Sequence, residues 1–214
     1  MPNDIFDSSL DDVEVEVSDN KIEKGGEVNL MEKDPTMTNV MVGMGWVLNA
    51  FDADTLDLDV SGFLLNNQGK TVIDEDFVFY NNLEARDGAV VHNGDNLTGA
   101  GDGDDESISV DLNAVPFEIT RIMFVISIYK GEEKDQQMGS VRNPYIRLIN
   151  ASNGFEILRY ELSEDMKESD GETAMLVASL NREGPKWHFK AVGELVQGGL
   201  EKIATDYDII VHSG

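Results

Sequence analysis

The run Arg121-Ile-Met-Phe-Val-Ile-Ser-Ile-Tyr129 is the longest β-branched and aromatic stretch in the chain. It predicts a central strand buried on both faces. Such a strand needs neighbours at both edges, and the sequence supplies short ones separated by turn residues. Residues 145–150 and 156–162 flank Asn153-Gly154, a strong short-range hairpin signal. Residues 173–181 and 187–192 flank Glu183-Gly184-Pro185 in the same way. Strands are also predicted at 27–31 after Gly25-Gly26, at 39–48 up to the Trp46 region, and within 51–65. Others follow at 77–81, at 89–92 after the turn Arg86-Asp87-Gly88, and at 107–112. Only residues 200–207 have convincing helical spacing. Many short strands, regular turns and one late helix describe an all-β fold, an antiparallel β-sandwich with long acidic loops and one short C-terminal helix.

At 214 residues one sizeable domain is expected. Residues 22–214 form that domain, and 1–21 read as an acidic tail or an edge strand. Val13, Val15 and Val17 alternate there with acids, and an acidic edge resists edge-to-edge pairing. The 42 acids and 16 bases give a formal net charge of −26, which opposes long-range attraction to nucleic acid or anionic lipid. The expected counterparts are cations and basic surfaces. Cysteine is absent, which removes disulfides, thiol nucleophiles and Cys-ligated zinc. His92, His188 and His212 are scattered, and His92 is expected beside a turn. The acidic amino terminus and the lack of an apolar run near ~20 residues predict a soluble, cytoplasmic protein.

The stretch from Gly94 to Glu106 brings Asp95, Asp102, Asp104, Asp105 and Glu106 together with four glycines and no Lys or Arg. Two carboxylates about 5 Å apart repel by roughly 3 kcal/mol at an effective dielectric of about 20, so a folded loop of this kind needs a counter-charge. Hard oxygen donors without Cys or His point to Ca²⁺ or Mg²⁺, and a flexible Gly-rich loop suits Ca²⁺ better. Asp57 and Asp59 on one strand face would stand about 7 Å apart and could share a cation or face water. The spacing is not that of an EF-hand, and the flanks read as strands where an EF-hand needs helices.

Gly94-Asp-Asn-Leu-Thr-Gly-Ala-Gly-Asp-Gly-Asp-Asp-Glu106 closely resembles the signature of the TerD family of tellurium-resistance and general-stress proteins. Met41-Val-Gly-Met-Gly-Trp46, Asp57-Leu-Asp59, Phe77-Val-Phe-Tyr-Asn-Asn82, Val141-Arg-Asn-Pro-Tyr-Ile-Arg147, Leu162-Ser-Glu-Asp165, Glu172-Thr-Ala-Met175 and Trp187-His-Phe-Lys-Ala-Val-Gly193 are similar to that family's pattern, in its order. The resemblance implies a β-sandwich that binds Ca²⁺, more than one ion, at loops near one end. It also implies no established catalytic activity and a stress system in which paralogous proteins act together. It puts forward as metal ligands Asp57, Asp59, Asp95, Asn96, Thr98, Asp102, Asp104, Asp105 and Glu106, with Asn82 or Asn81 as a weaker candidate. The chain departs from the family at Val47, where an Asp is usual; Asp52 or Asp54 could replace it. The acidic segment before Ile22 and residues 167–171 are further departures, expected to concern only the surface.

Other chemistries are poorly supported. A carboxylate pair such as Asp57 and Glu106 could hydrolyse glycosides only across a sugar cleft, for which no aromatic platform is evident. No Gly-x-Ser-x-Gly elbow is present. Arg142 and Arg147 are expected to pair with acids, and Trp46 and Trp187 to lie in the core. The expected function is a calcium-ordered interaction module without enzyme activity, its partners other proteins. The alternative is a calcium-dependent membrane-docking module behaving as C2 domains do.

Overall fold

The computed structural model describes residues 20–47, 56–95 and 103–210. The elements run β1 (Glu27–Asn29), α1 (Leu30–Lys33), β2 (Asn39–Val47), β3 (Leu58–Leu65), β4 (Phe77–Val78), β5 (Glu84–Ala85), β6 (Val90–Asp95), β7 (Glu106–Asp111), β8 (Arg121–Ile128), β9 (Arg142–Asn150), β10 (Glu156–Glu161), α2 (Ser163–Met166), β11 (Ala174–Glu183), β12 (Lys186–Val196) and α3 (Gly199–Asp206). Two six-stranded sheets result. The first has the order β1-β12-β11-β8-β3-β4 and the second β10-β9-β2-β7-β6-β5, and their strand pairs are antiparallel. The predicted sandwich is therefore the observed architecture.

β8 lies between β11 and β3, and every residue in it from Ile122 to Ile128 is buried. Its two faces enter two apolar clusters. Ile122, Phe124, Ile126 and Ile128 join Val42, Ile108, Ile146 and Leu148 from the second sheet in the main core. Met123 and Val125 point the other way, beneath Ile203 and Ala204 of α3 and beside Phe63 and Phe77. Nonpolar residues at every position from Ile122 to Ile126 satisfy both layers, which is why this run shows no alternation. The hairpin between β9 and β10 forms around Asn153-Gly154 as expected. Gly154 takes φ +76°, and the Asn153 side chain accepts from the Phe155 N–H at 2.9 Å.

Several expectations need correction. The strand predicted over 27–31 stops at Asn29, whose side chain accepts from the Met31 N–H at 3.1 Å and starts the short helix α1. That is the ordinary preference of Asn for a helix N-cap. The strand predicted within 51–65 begins only at Leu58, so Asp57 precedes it. The aromatic strand at 77–81 keeps only Phe77–Val78, because Phe79 and Asn82 bridge each other across a tight turn. Among the described residues three α-helices are present, α3 being the C-terminal one that was expected. Most of the acidic 1–21 segment lies outside the described residues. Its last part runs parallel to β10, with the Ile22 N–H donating to the Arg159 carbonyl at 2.9 Å and the Arg159 N–H to that of Asn20 at 2.8 Å.

Candidate functional site

Asp104, Asp105 and Glu106 lie at the start of β7, and each is engaged in a different place. Glu106 begins the strand, and alternation with Ile108 and Val110 turns it inward. Its Oε2 accepts from the Val60 N–H at 2.6 Å, and His92 Nε2 lies 3.6 Å from the same oxygen. His92 is buried, and its Nε2 is 3.1 Å from the Val60 carbonyl. Its Nδ1 accepts from the Gly94 N–H at 3.0 Å, which assigns the hydrogen to Nε2 and makes that nitrogen the donor to Val60. Burial opposes charge on this imidazole, but Glu106 outweighs it and holds the pKa above the usual histidine value.

The pair of side chains stands where a strand would otherwise be. On this edge of β3, β4 pairs only with Gly62 and Phe63. Two residues earlier, both backbone groups of Val60 are satisfied by Glu106 and His92 from the second sheet. These bonds join the two sheets directly. They place Glu106 and His92 in the sandwich interior, where His92 had been expected beside a turn.

Asp105 is part-buried, accepting from the Trp46 N–H at 2.8 Å through Oδ2 while its own N–H donates to the Met44 carbonyl at 2.8 Å. Asp104 lies on the outer face of the second sheet, above Gly43. A methyl group on Gly43 would come within 1.9 Å of its Oδ2, and one on Gly45 within 2.4 Å of the Tyr145 hydroxyl. Arg147 grips Asp104 with two bonds, Nε to Oδ1 at 2.7 Å and Nη2 to Oδ2 at 3.1 Å, and Tyr145 donates to Oδ1 at 3.2 Å. Glu156 bridges Arg147, 3.1 Å away, to Arg159, at 2.8 and 2.9 Å, and the Arg159 guanidinium lies 4.1 Å from the centre of the Tyr145 ring. Burial works against the charge of Arg147, yet its acid partners raise its pKa. The expected pairing of Arg147 with acids is observed.

Asp57 is exposed just before β3, and its carbonyl accepts from the Tyr129 N–H at 2.8 Å. Asp59 lies opposite Ser127 in the β3–β8 ladder. Tyr80 lies near both acids: burial raises its pKa first, and the fields of Tyr129, Asp59 and Asp57 add to the rise. The Asn82 amide donates to the carbonyls of Phe77 at 2.7 Å and Glu75 at 3.2 Å, and so holds the turn that follows β4. Asp95 ends β6 opposite Glu106. Asn96, Thr98 and Asp102 lie outside the described residues, as do Asp52 and Asp54. Val47 is 54% exposed. Trp187 is buried as expected, donating to the Leu112 carbonyl at 3.2 Å, whereas Trp46 is half-buried against the core.

Among the described residues, no three or more His, Asp or Glu side chains are gathered closely enough to hold a metal ion. Sequence reasoning also passed over Asp76, fully buried and gripped by Arg86 at 2.5 and 2.7 Å.

Residues 19–207 match the TerD domain family. The chain belongs to the TerD family. The tellurium resistance protein TerD of Serratia marcescens is 46% identical over 188 residues, covering 88% of this chain and 96% of that protein. General stress protein 16U of Bacillus subtilis (strain 168) is also 46% identical, over 189 residues, with the same coverage of 88% and 96%. The crystal structure of a homologue of telluride resistance protein (TerD) from Streptomyces coelicolor A3(2) superposes with a TM-score of 0.62 at 19% identity, covering 78% of this chain and 95% of that one. It shares the fold. The names of these TerD relatives denote tellurium resistance and general stress, and none is an enzyme's name. Among the described residues no helix is long and apolar enough to cross a membrane.

Proposed function

We propose that this TerD-family chain is a calcium-ordered interaction module of a stress or tellurite-resistance system, cytoplasmic and without enzyme activity. The observation that supports the reading is the acids at the starts of two strands, Asp57 and Asp59 at β3 and Asp105 and Glu106 at β7. Among the described residues no three of them gather into a site by themselves, so the cation would draw further donors from the rest of the acidic stretch. These donors are oxygen only, which fits a hard cation and Ca²⁺ in particular. Glu106 and Asp105 each have one oxygen already engaged with backbone N–H groups, so each would offer the other. Asp95, Asn96, Thr98 and Asp102 are the candidates to complete the set, with Asn82 beside them.

Asp104 fits less well where it stands, because Arg147 holds both of its oxygens. Its part is to fix the loop to the second sheet. The cation would supply positive charge that relieves repulsion between the remaining carboxylates. Val60, Trp46 and Met44 hold Asp105 and Glu106 in place through backbone bonds, so ordering of the loop is transmitted to the ends of both sheets. The ordered end is then presented to a partner protein.

Calorimetry of the chelated protein, followed by excess Ca²⁺, tests this reading. A free concentration of a hundred times Kd should stabilise the fold by about 2.7 kcal/mol. The expected result is a clear rise in Tm that the double variant Asp57→Asn, Asp59→Asn largely loses. An unchanged Tm at millimolar Ca²⁺ sinks the metal-coupled function.

A further inference from the structure

We propose that the surface made by Phe79, Tyr80, Leu83 and Tyr129, beside Asp57 and Asp59, docks a lysine- or arginine-bearing segment of a partner protein. The inference rests on the interaction half of the function proposed above; because Asp57 and Asp59 are also put forward for the cation, its binding test uses the chelated protein.

A ladder of rings leads outward from the core to this surface. Phe63 and Phe77 stack with centroids 4.3 Å apart, and Phe77 and Phe79 likewise at 4.3 Å, each pair within 9° of parallel. Tyr80 meets Phe79 edge-on at 5.2 Å, and Tyr129 meets Tyr80 edge-on at 6.3 Å. The outer rings are thus fixed in place before any partner arrives, yet Tyr80 is 46%, Leu83 49% and Tyr129 40% exposed. The segment bearing Tyr80 and Leu83 is anchored behind by the buried Asp76–Arg86 pair and the Asn82 amide. A rigid, half-exposed aromatic surface binds at low entropic cost.

Its surroundings select the partner's charge. Asp57 is exposed alongside Tyr129, and Asp74, Glu75 and Glu84 are exposed on the segments that carry the other rings. Cations rest well on tyrosine faces, and the chain already uses this: Lys130 and Lys134 place their ammonium groups 5.6 and 5.4 Å from the Tyr129 centroid. Among the described residues no cation lies over Tyr80. An ammonium or guanidinium there would meet a ring and a carboxylate together. A second copy of the chain, or an anionic lipid, would instead bring further negative charge to a molecule of net −26. A neutral apolar partner would strip water from the acids and give nothing back.

Fluorescence anisotropy of the chelated full chain with a labelled alternating Lys-Leu peptide, against its Glu-Leu counterpart, tests the surface. Tyr80→Ala should weaken the Lys-Leu complex about threefold and Tyr80→Ala with Tyr129→Ala about tenfold. The pair Glu32→Gln, Glu183→Gln, which removes two exposed acids from the opposite end of the first sheet, should leave it within twofold, about 0.4 kcal/mol. Equal binding by the tyrosine variants and wild type would reduce the interaction to bulk acidity and overturn the proposal. So would absence of Lys-Leu binding, equal binding of the Glu-Leu peptide, or self-association in sedimentation that Tyr80→Ala dissolves. Because Tyr80 and Tyr129 are half-exposed, their variants should keep the wild-type Tm and its response to Ca²⁺. Loss of that response in wild type, with tyrosine dependence retained, would remove the metal reading and leave this one standing.

Discussion

The two sheets meet solvent in opposite ways. The outer face of the first is roofed by α3, with Ile203 and Ala204 packed over Met123 and Val125, and by the stacked rings of Phe63 and Phe77. Among the described residues the outer face of the second has no such helix at its centre; Gly43 and Gly45 leave it shallow, and Asp104 is held there by Arg147. One face is closed by apolar burial, which is non-directional and tolerant of small shifts. The other is closed by charge-assisted bonds that demand fixed angles and distances. The electrostatic cover belongs to the acidic stretch itself, so the end of the molecule proposed to respond to cations is tied to the sheet by charge.

Removing part of the apolar roof should have the larger effect. Ile203→Ala opens a cavity beneath α3 and is expected to lower stability by about 3 kcal/mol in urea unfolding. A cost under about 1 kcal/mol would mean that the helix is a loose appendage and the contrast false. Gly43→Ala strikes the other face by driving a methyl group into the Asp104 carboxylate. Because that carboxylate is the end of a side chain but is clamped, a loss of about 1–2 kcal/mol is expected. A Tm equal to that of wild type would show that the clamp moves aside freely.

The smallest effect should come from acid. Glu156 is held below the ordinary glutamate value of 4.5 mainly by Arg159, with burial pulling the other way and Arg147 lowering it further. A carboxylate whose folded pKa is depressed contributes fully above its unfolded pKa and loses that contribution as pH falls through the folded value. Glu156→Gln should therefore lower stability above about pH 4.5 by the small amount the depressed pKa contributes and converge with wild type as pH falls, which flattens the acid limb of a stability–pH curve. An unchanged acid limb would separate Glu156 from the clamp.

The strands were legible because local patterns and tertiary structure agree. The nine-residue run containing β8 could only be buried on both faces, and Asn153-Gly154 supplied the positive φ a tight hairpin needs. The inward direction of Glu106 was also available, since it shares a face with Ile108 and Val110, and His92 shares one with Val90. Their joint target, the backbone of Val60, was not, because it depends on how far β4 extends along β3. Asp104 escaped for a related reason: alternation with Glu106 fails where the strand ends and the chain turns outward. The space it takes was encoded at Gly43 and Gly45, distant in sequence. Nothing nearby distinguishes buried Asp76 from exposed Asp74 and Glu75, since its partner Arg86 arrives through the turn beyond β5.

Strand edges bear on how molecules behave in company. A strand with an open N–H and C=O invites another chain to continue the sheet, and β4 is too short to cover all of β3. Glu106 and His92 fill the gap at Val60. A residue put forward as a calcium ligand thereby also completes the backbone bonding of β3, and any event that draws Glu106 away from Val60 leaves a buried N–H without its acceptor.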